Sequence, residues 1–356
     1  MLRIHITPQW KLFDEAEVSL DTTSLLSLLA AIQDSGAIAQ AARSLGLSYR
    51  HAWGQIKQAE TMIGHPLVLA GRGRGSTLTP LAEKLIWADL RISARLSPLL
   101  ESLASELESD LDRTLPSKPP ALRLHASHGF AVAALLEQLG TAGLPVELRY
   151  RNSLESVAAL ASGECDLAGF HVPIGEFESA AARHYRRWLR DDAHQLVHLA
   201  VRTQGLFAAA GNPRRVHGLD DLRRRDLRFV NRPEGSGTRM LTELMLARRG
   251  ISPREVSGFE SAEFTHAAVA AFIASGMADL GIGIQTAARR FGLHFIPLVR
   301  ERYFLAMNRA ARHQPPLVDA LQLLGSPTYR SAVAGLAGYE AGETGRILSV
   351  DEAFGE

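Results

Sequence analysis

A long stretch without glycine most constrains what this chain can fold into. Residues from Pro80 to about Arg113 have no internal glycine, and their apolar side chains recur at helical spacing. Roughly 30 residues at 1.5 Å each predict a rod of about 45 Å, and its apolar stripe predicts pairing with the same helix of a second subunit. Pro98 predicts a kink or break near Ser97.

This helix separates two regions of different pattern in a chain of 356 residues, a length that predicts two or three compact units. Residues 1–79 alternate short helical runs with glycine turns, residues 80–113 form the linker helix, and the proline-rich residues 114–120 read as a semi-rigid linker. Residues 121–356 form the remaining domain. The formal charge of +1 means that nucleic-acid binding needs a local basic surface.

The first region predicts a helix-turn-helix. Helices are expected at Thr22–Gln33, after the N-cap Asp21, and at Ile38–Leu45, followed by a turn at Gly46. A third helix, Tyr49–Ile63, has an apolar side and an exposed side rich in basic and amide groups, which suits reading of the major groove. The residues predicted to bind DNA from this helix are Ser48, Tyr49, Arg50, His51, Gln55 and Lys57.

A β-hairpin wing is predicted to follow. Two short strands, Pro66–Ala70 and Ser76–Thr79, flank a loop of alternating glycine and arginine. The glycines let the backbone lie close to DNA, and Arg72 and Arg74 can enter a minor groove or grip phosphates. The N-terminal fold class is therefore an α+β winged helix-turn-helix.

The stretch from Gly36 to Trp53 resembles the DNA-binding domain of molybdate-responsive ModE-type regulators. Extended to Pro80 and the long helix, it also resembles LysR-type regulators. The resemblance implies that Tyr49–Ile63 reads operator DNA and that Pro80–Leu107 forms a dimer, with a homodimer and a homotetramer both open.

Beyond the linker, alternating strand and helix patterns predict an α/β domain with a mostly parallel sheet. Strands are predicted at Leu122–Ala126, Val146–Tyr150, Asp166–His171, Leu196–Arg202, Leu206–Ala210, Leu227–Asn231 and Ala278–Ile284. Helices are predicted at Phe130–Leu139, Leu154–Ser162, Thr238–Arg249 and Thr265–Ser275.

A glycine-rich loop between a strand and a helix marks the candidate ligand site. Such a loop presents free N–H groups and the positive end of a helix dipole, which favour an anion. Two other loops could join it, one with Ser127 and His128 after the first strand of the domain and one with Thr265 and His266 before a helix. Ligands of open α/β sheets bind at the carboxyl ends of the strands, so the three loops are expected to converge there. The residues predicted to bind the ligand are Ser127, His128, Asn231, Ser236, Gly237, Thr238, Arg239, Thr265 and His266.

Residues 121–300 resemble the type II periplasmic-binding-protein-like domain of some molybdenum-related regulators, through Leu160–His171, Gly235–Arg239 and Thr265–Ile284. The resemblance implies a two-lobed α/β domain, with one lobe at about 121–200 and 300–356 and the other at about 205–297. ModE-type regulators carry a different ligand module, so formate, tungstate and molybdate all stay open as effectors. The resemblance links this build to formate dehydrogenase regulation.

The predicted function is thus a cytoplasmic DNA-binding regulator controlled by a small anion, with no enzyme activity, cofactor or metal. Cys165 is the only cysteine, which excludes a multi-cysteine metal site, and no apolar run is long enough to span a membrane. The alternatives are a small-anion-binding protein, including a transport receptor, and a molybdenum-cofactor-related enzyme. A nucleophile beside a base, or paired carboxylates in a glycine-framed site, would indicate an enzyme, and neither pattern occurs.

Overall fold

The computed structural model describes residues 4–15, 17–71, 75–113 and 121–354. The predicted linker, 114–120, lies outside the described residues. The chain divides into an N-terminal unit, Thr7–Leu96, and a C-terminal unit that contains Ser97–Glu356 and the residues before Thr7. Within the described ranges, no helix is long and apolar enough to cross a membrane.

The N-terminal unit is a helix-turn-helix with a wing. Its core is formed by apolar side chains of three helices, among them Leu28, Leu29, Ile32, Ala52 and Ile56. Its elements are β1 (Lys11–Phe13), β2 (Ser19–Asp21), α1 (Thr22–Ser35), α2 (Ile38–Ser44), α3 (Tyr49–Ile63), β3 (Val68–Gly71) and β4 (Gly75–Leu78). The hairpin of β1 and β2 was not predicted.

The ends of α1 and α3 follow from local side-chain chemistry. Asp21 accepts a hydrogen bond from the Thr23 N–H at 2.8 Å, and Ser48 accepts one from the His51 N–H at 3.2 Å. Gly36 ends α1 in the left-handed region, with φ of 68°, where a residue without Cβ is favoured. These caps confirm the helix starts predicted from the sequence.

The linker helix α4 spans Pro80–Arg113 and continues through Pro98. Of the predicted kink or break near Ser97, the break is therefore wrong, whereas the kink stays a prediction. A proline inside a helix removes one hydrogen bond, to the carbonyl four residues before it, and this helix continues in spite of that loss. The Ser102 hydroxyl donates to the Pro98 carbonyl at 2.8 Å, a back-bond that serine makes inside helices.

The C-terminal unit is built on one nine-stranded sheet. Its order is β6-β5-β7-β11-β8-β10-β9, with β12 and β13 also paired to β8. The strands are β5 (Leu122–Ala126), β6 (Val146–Tyr150), β7 (Leu167–Pro173), β8 (His194–Ala208), β9 (Phe229–Val230), β10 (Leu280–Ile284), β11 (His294–Asn308), β12 (Tyr339–Glu340) and β13 (Ile347–Leu348).

Helices cover this sheet and give the unit its α/β layers. They are α5 (Phe130–Thr141), α6 (Ser153–Ala161), α7 (Glu178–Tyr185), α8 (Gly237–Arg248), α9 (His266–Ala274), α10 (Gln285–Arg290), α11 (Leu317–Leu324), α12 (Pro327–Ala334) and α13 (Val350–Phe354). One core cluster draws its buried residues from 206–282, within the predicted second lobe. The predicted α/β class is confirmed, whereas the lobe bounds stay a prediction.

The mostly parallel sheet predicted from the sequence is wrong. β5 pairs in parallel with β6 and β7, and β10 with β9, but β8 and β11 run antiparallel to each other and to further neighbours. The run Leu196–Arg202 and the first three residues of the run Leu206–Ala210 belong to the single strand β8, which ends at Ala208. β11 was missed because Pro297 and a charged run interrupt its apolar pattern, and a register shift occurs beside that proline.

Gly205 permits the close pairing of β8 with β11. A Cβ at this position would lie 2.2 Å from the Ile296 carbonyl oxygen and 2.7 Å from Cζ of Phe295. The two strands approach too closely here for any side chain.

Replacing Gly205 by alanine is expected to lower the free energy of unfolding by about 2 kcal/mol or more, since backbone must shift to admit the methyl group. Urea unfolding followed by circular dichroism measures this change. Gly218→Ala is the matched control because a Cβ there meets nothing within 4 Å. Equal stability of the two variants would contradict the close approach.

Candidate functional site

Three helix N-termini line one cavity of about 270 Å³ in the C-terminal unit. They belong to α6, α8 and α9, whose first residues or preceding caps line the space, and the loop before α5 adds Ser127 and His128. Each N-terminus carries unsatisfied N–H groups and a partial positive charge. The cavity walls include Pro98, Ser127, His128, Tyr150, Arg151, Asn152, Ser153, Glu155, His171, Arg202, Arg232, Pro233, Glu234, Ser236, Gly237, Thr238, Phe264 and His266.

Arg202 is the buried cation that the long strands place in this wall. It lies opposite Glu301 in the β8–β11 register, and its Nε donates to Oε1 of Glu301 at 2.5 Å. The two side chains are 2% and 1% exposed, so each charge relies on the other rather than on water. Burial opposes the charge of Arg202, but Glu301 keeps the pKa of Arg202 above its ordinary value.

Gln204 extends this pair towards the glycine-rich loop. Its Nε2 donates to Oε2 of Glu301 at 2.9 Å and to the Thr238 hydroxyl at 3.1 Å. The strand pair and the first turn of α8 therefore share one hydrogen-bonded network.

Arg232 is a second buried guanidinium, and none of the described carboxylates forms an ion pair with it. Its Nη2 donates to the Phe264 carbonyl at 2.6 Å, while its Nε has no partner among the described residues. Burial, together with the charge of Arg202, lowers the pKa of Arg232 to about 9. The group therefore stays charged at neutral pH and leaves a positive charge facing the cavity.

Three histidines add neutral polar groups to the same walls. Burial, then the charges of Arg232 and Arg290, lowers the pKa of His128 to about 4. Burial and the two buried guanidiniums also hold the pKa values of His171 and His266 well below the ordinary value. Nε2 of His171 and Nδ1 of His266 are buried and have no hydrogen-bond partner in the described structure.

The glycine-rich loop is shaped by Gly235 and capped by Ser236. Gly235 has φ of 78°, and a Cβ there would lie 2.7 Å from Nδ2 of Asn152. The Ser236 hydroxyl accepts from the Arg239 N–H at 3.1 Å and so begins α8. The loop thus packs against the start of α6, bringing two helix N-termini to one wall.

Six of the nine residues predicted to bind a ligand lie in the cavity wall: Ser127, His128, Ser236, Gly237, Thr238 and His266. The other three are placed elsewhere. Asn231 donates to the Phe259 carbonyl and accepts from the Arg232 N–H, and Thr265 caps α9. Arg239 pairs with Glu243 at 2.6 Å and lies over the Phe259 ring.

Sequence reasoning missed Arg202 and Arg232 as site residues. Arg202 ends a predicted apolar strand, and a charge in such a strand is the signal that could have marked it. Arg232 directly precedes the glycine-rich loop, which is the signal that could have marked it. His171 also lies in the cavity wall.

The exposed side of α3 carries the residues predicted to bind DNA. Tyr49, Arg50 and His51 are exposed at its first turn, and Tyr49 stacks on Trp53 with ring centroids 6.4 Å apart. Trp53 is half-buried against the core.

Two further residues of this face already have intramolecular partners. Lys57 pairs with Glu60 at 2.7 Å and lies over the Trp53 ring. The Gln55 amide donates to the Ser24 hydroxyl at 2.9 Å.

The wing is attached to the end of α1. The Ser76 N–H donates to the Gly36 carbonyl at 2.7 Å, which fixes β4 beside the helix-turn-helix. Arg72 and Arg74, predicted at the wing tip, lie outside the described residues.

Two family models match this chain in the same order as its two units. Residues 23–83 match the bacterial regulatory helix-turn-helix protein, lysR family. Residues 135–325 match the PBP superfamily domain, which is more than half of the chain.

The chain belongs to the PBP superfamily. Its PBP domain follows a lysR-family helix-turn-helix, which confirms the predicted two-part fold and the LysR-type resemblance of the N-terminal unit. The ModE-type resemblance stays a prediction.

Two curated relatives and one solved structure are similar to parts of this chain. The chain is 33% identical over 200 residues to the uncharacterized protein YvgK of Bacillus subtilis, covering 56% of this chain and 64% of YvgK. It is 34% identical over 170 residues to the molybdenum-pterin-binding protein MopB of Rhodobacter capsulatus, covering 42% of this chain and 63% of MopB. It therefore spans less than two thirds of either relative. Corynebacterium glutamicum OxyR, a C206 mutant, aligns with a TM-score of 0.42 and 16% identity over 87% of this chain and 93% of that one.

Removing Glu301 tests the buried pair of the PBP domain. Glu301→Gln leaves Arg202 buried without its counter-charge and is expected to lower the free energy of unfolding by about 3–5 kcal/mol. Glu340→Gln breaks the exposed pair with Arg300 and is expected to cost less than about 1 kcal/mol. Urea unfolding measures both, and a small effect of Glu301→Gln would contradict the role given to this pair.

Proposed function

We propose that this chain is a DNA-binding transcriptional regulator controlled by a small anion that binds in the PBP domain. The observation that carries the proposal is the cavity itself, where two buried guanidiniums and three helix N-termini meet. Because Arg232 has no counter-charge among the described carboxylates, a bound anion would complete its ion pairing.

The anions proposed are molybdate, tungstate and formate. Molybdate and tungstate present four oxygens to donors arriving from several directions, whereas formate presents two to a guanidinium. The likeness to MopB, whose name states that it binds molybdenum-pterin, makes molybdate the first anion to test.

The N-terminal unit supports operator binding as the output. Its match to a bacterial regulatory helix-turn-helix of the lysR family favours a regulator over an enzyme or a transport receptor. Leu99, Leu103 and Leu107, spaced four residues apart on α4, are 58%, 44% and 45% exposed. An apolar stripe of this kind supports a homodimer or homotetramer paired through the linker helix.

Arg232→Gln tests the anion site. The full-length protein is titrated calorimetrically with sodium molybdate, and in parallel with tungstate, formate, sulfate and nitrate. The variant is expected to bind the preferred anion about tenfold to a hundredfold more weakly, since it loses a charged hydrogen-bond donor.

Arg254→Gln, at an exposed arginine of the same domain, is the matched control and should bind like wild type. Equal affinity of wild type and Arg232→Gln, or no binding of any anion, would overturn the proposed site.

Arg50→Ala tests the DNA surface. Loss of this exposed side chain is expected to weaken binding to the chain's own upstream promoter DNA by about 1–3 kcal/mol if it reads a base, or to reduce the salt slope by about 1 if it grips a phosphate. Fluorescence anisotropy over a range of KCl concentrations distinguishes the two cases. Arg254→Ala serves as the control, and unchanged affinity and salt slope in Arg50→Ala would refute the recognition-helix assignment.

A further inference from the structure

The last part of the linker helix docks on the edge of the sheet through two serines. The Ser102 hydroxyl oxygen accepts from the Tyr150 N–H at 2.9 Å, and that of Ser105 accepts from the Leu148 N–H at 2.7 Å. β6 is an edge strand, so these hydroxyls occupy backbone positions that a further strand would use. These two hydrogen bonds hold the helix against β6, and hydrogen bonds of this kind can break and form again.

The same helix face reaches the anion cavity. Pro98 lines the cavity, and Oε1 of Glu101 lies 3.9 Å from Nε2 of His128. The charge of Glu101 contributes, after burial, to raising the pKa of Tyr150 well above its ordinary value. Positions 98, 101, 102 and 105 share one helix face, so docking of the helix and placement of Glu101 occur together.

Glu101 is a negative charge beside a site built for a negative ligand. Its neighbours among the charged and titratable groups are His5, His128 and Tyr150, and both His128 and Tyr150 line the cavity. An anion in the cavity would lie among side chains that include His128 and Tyr150, and the Glu101 carboxylate would repel it. Two like charges close together in a partly buried site disfavour each other.

The geometry points to Glu101 as the residue through which the linker helix senses the cavity. The Glu101 carboxylate lies beside His128 and Tyr150, and the helix is docked on β6. A bound anion competes with that carboxylate, which weakens the docking of residues 97–113. This inference rests on the proposed anion site. It adds that the linker helix α4 responds when an anion is bound there.

The test combines affinity with hydrogen exchange in the full-length protein, with sodium molybdate as the probe and formate and sulfate in parallel. Wild type, Glu101→Gln and Glu106→Gln are compared, Glu106 being an exposed acid of the same helix. Glu101→Gln should bind the anion about tenfold more tightly, because a like charge is removed. Glu106→Gln should bind like wild type.

Hydrogen exchange at the Leu148 and Tyr150 amides distinguishes a sensing role of Glu101 from a purely structural role. In wild type and in Glu106→Gln, the anion should speed exchange of these amides, because their serine partners withdraw. In Glu101→Gln the anion should leave their exchange unchanged.

Two failures are distinguishable. If wild type binds an anion but Glu101→Gln matches Glu106→Gln in both affinity and exchange, the coupling is overturned and the anion site stands. If neither wild type nor Glu101→Gln binds any of the anions, the anion site is overturned and this coupling with it. Binding by Glu101→Gln alone would support the coupling, since the carboxylate would then be the group that keeps the site closed.

Discussion

Arg202 and Glu301 face each other across the two longest strands, and the C-terminal unit depends on this contact. A charge taken out of water is costly unless an opposite charge and hydrogen bonds replace the solvent. The Glu301 carboxylate meets both needs, because Arg202 binds one of its oxygens and Gln204 donates to the other, and Gln204 also donates to Thr238 at the start of α8. One buried network therefore fixes the strand register, the glycine-rich loop and a cationic wall of the cavity.

The cavity gathers positive charge from sources of different kinds. The helix N-termini supply partial charges that belong to the backbone, and Arg232 supplies a full charge that the described carboxylates do not neutralise. The histidines remain neutral because burial and the guanidiniums disfavour their protonation. They offer polar atoms without further charge, so Arg232 is the buried cation of the wall that a ligand could pair with, while the Glu101 carboxylate lies near His128.

Features governed by neighbours in sequence were predictable. Asp21, Ser48 and Gly36 set helix ends through hydrogen bonds and φ preferences that span a few residues. The serine and glycines of the loop before α8 belong to the same class, and this loop lies at the cavity. The family matches agree with the two-part organisation that these local patterns indicate.

The sequence by itself determined the helix-turn-helix, the linker helix and the loop that begins α8, because each is specified by caps, glycines and periodicity within a short segment. Only the tertiary structure decided the antiparallel course of β8 and β11, since pairing of distant strands leaves no local signal when proline and charged residues interrupt one of them. It also decided which arginines face the cavity. Arg239, which adjoins the loop, is held by Glu243, whereas Arg202 comes from a distant strand whose partner fixes its position.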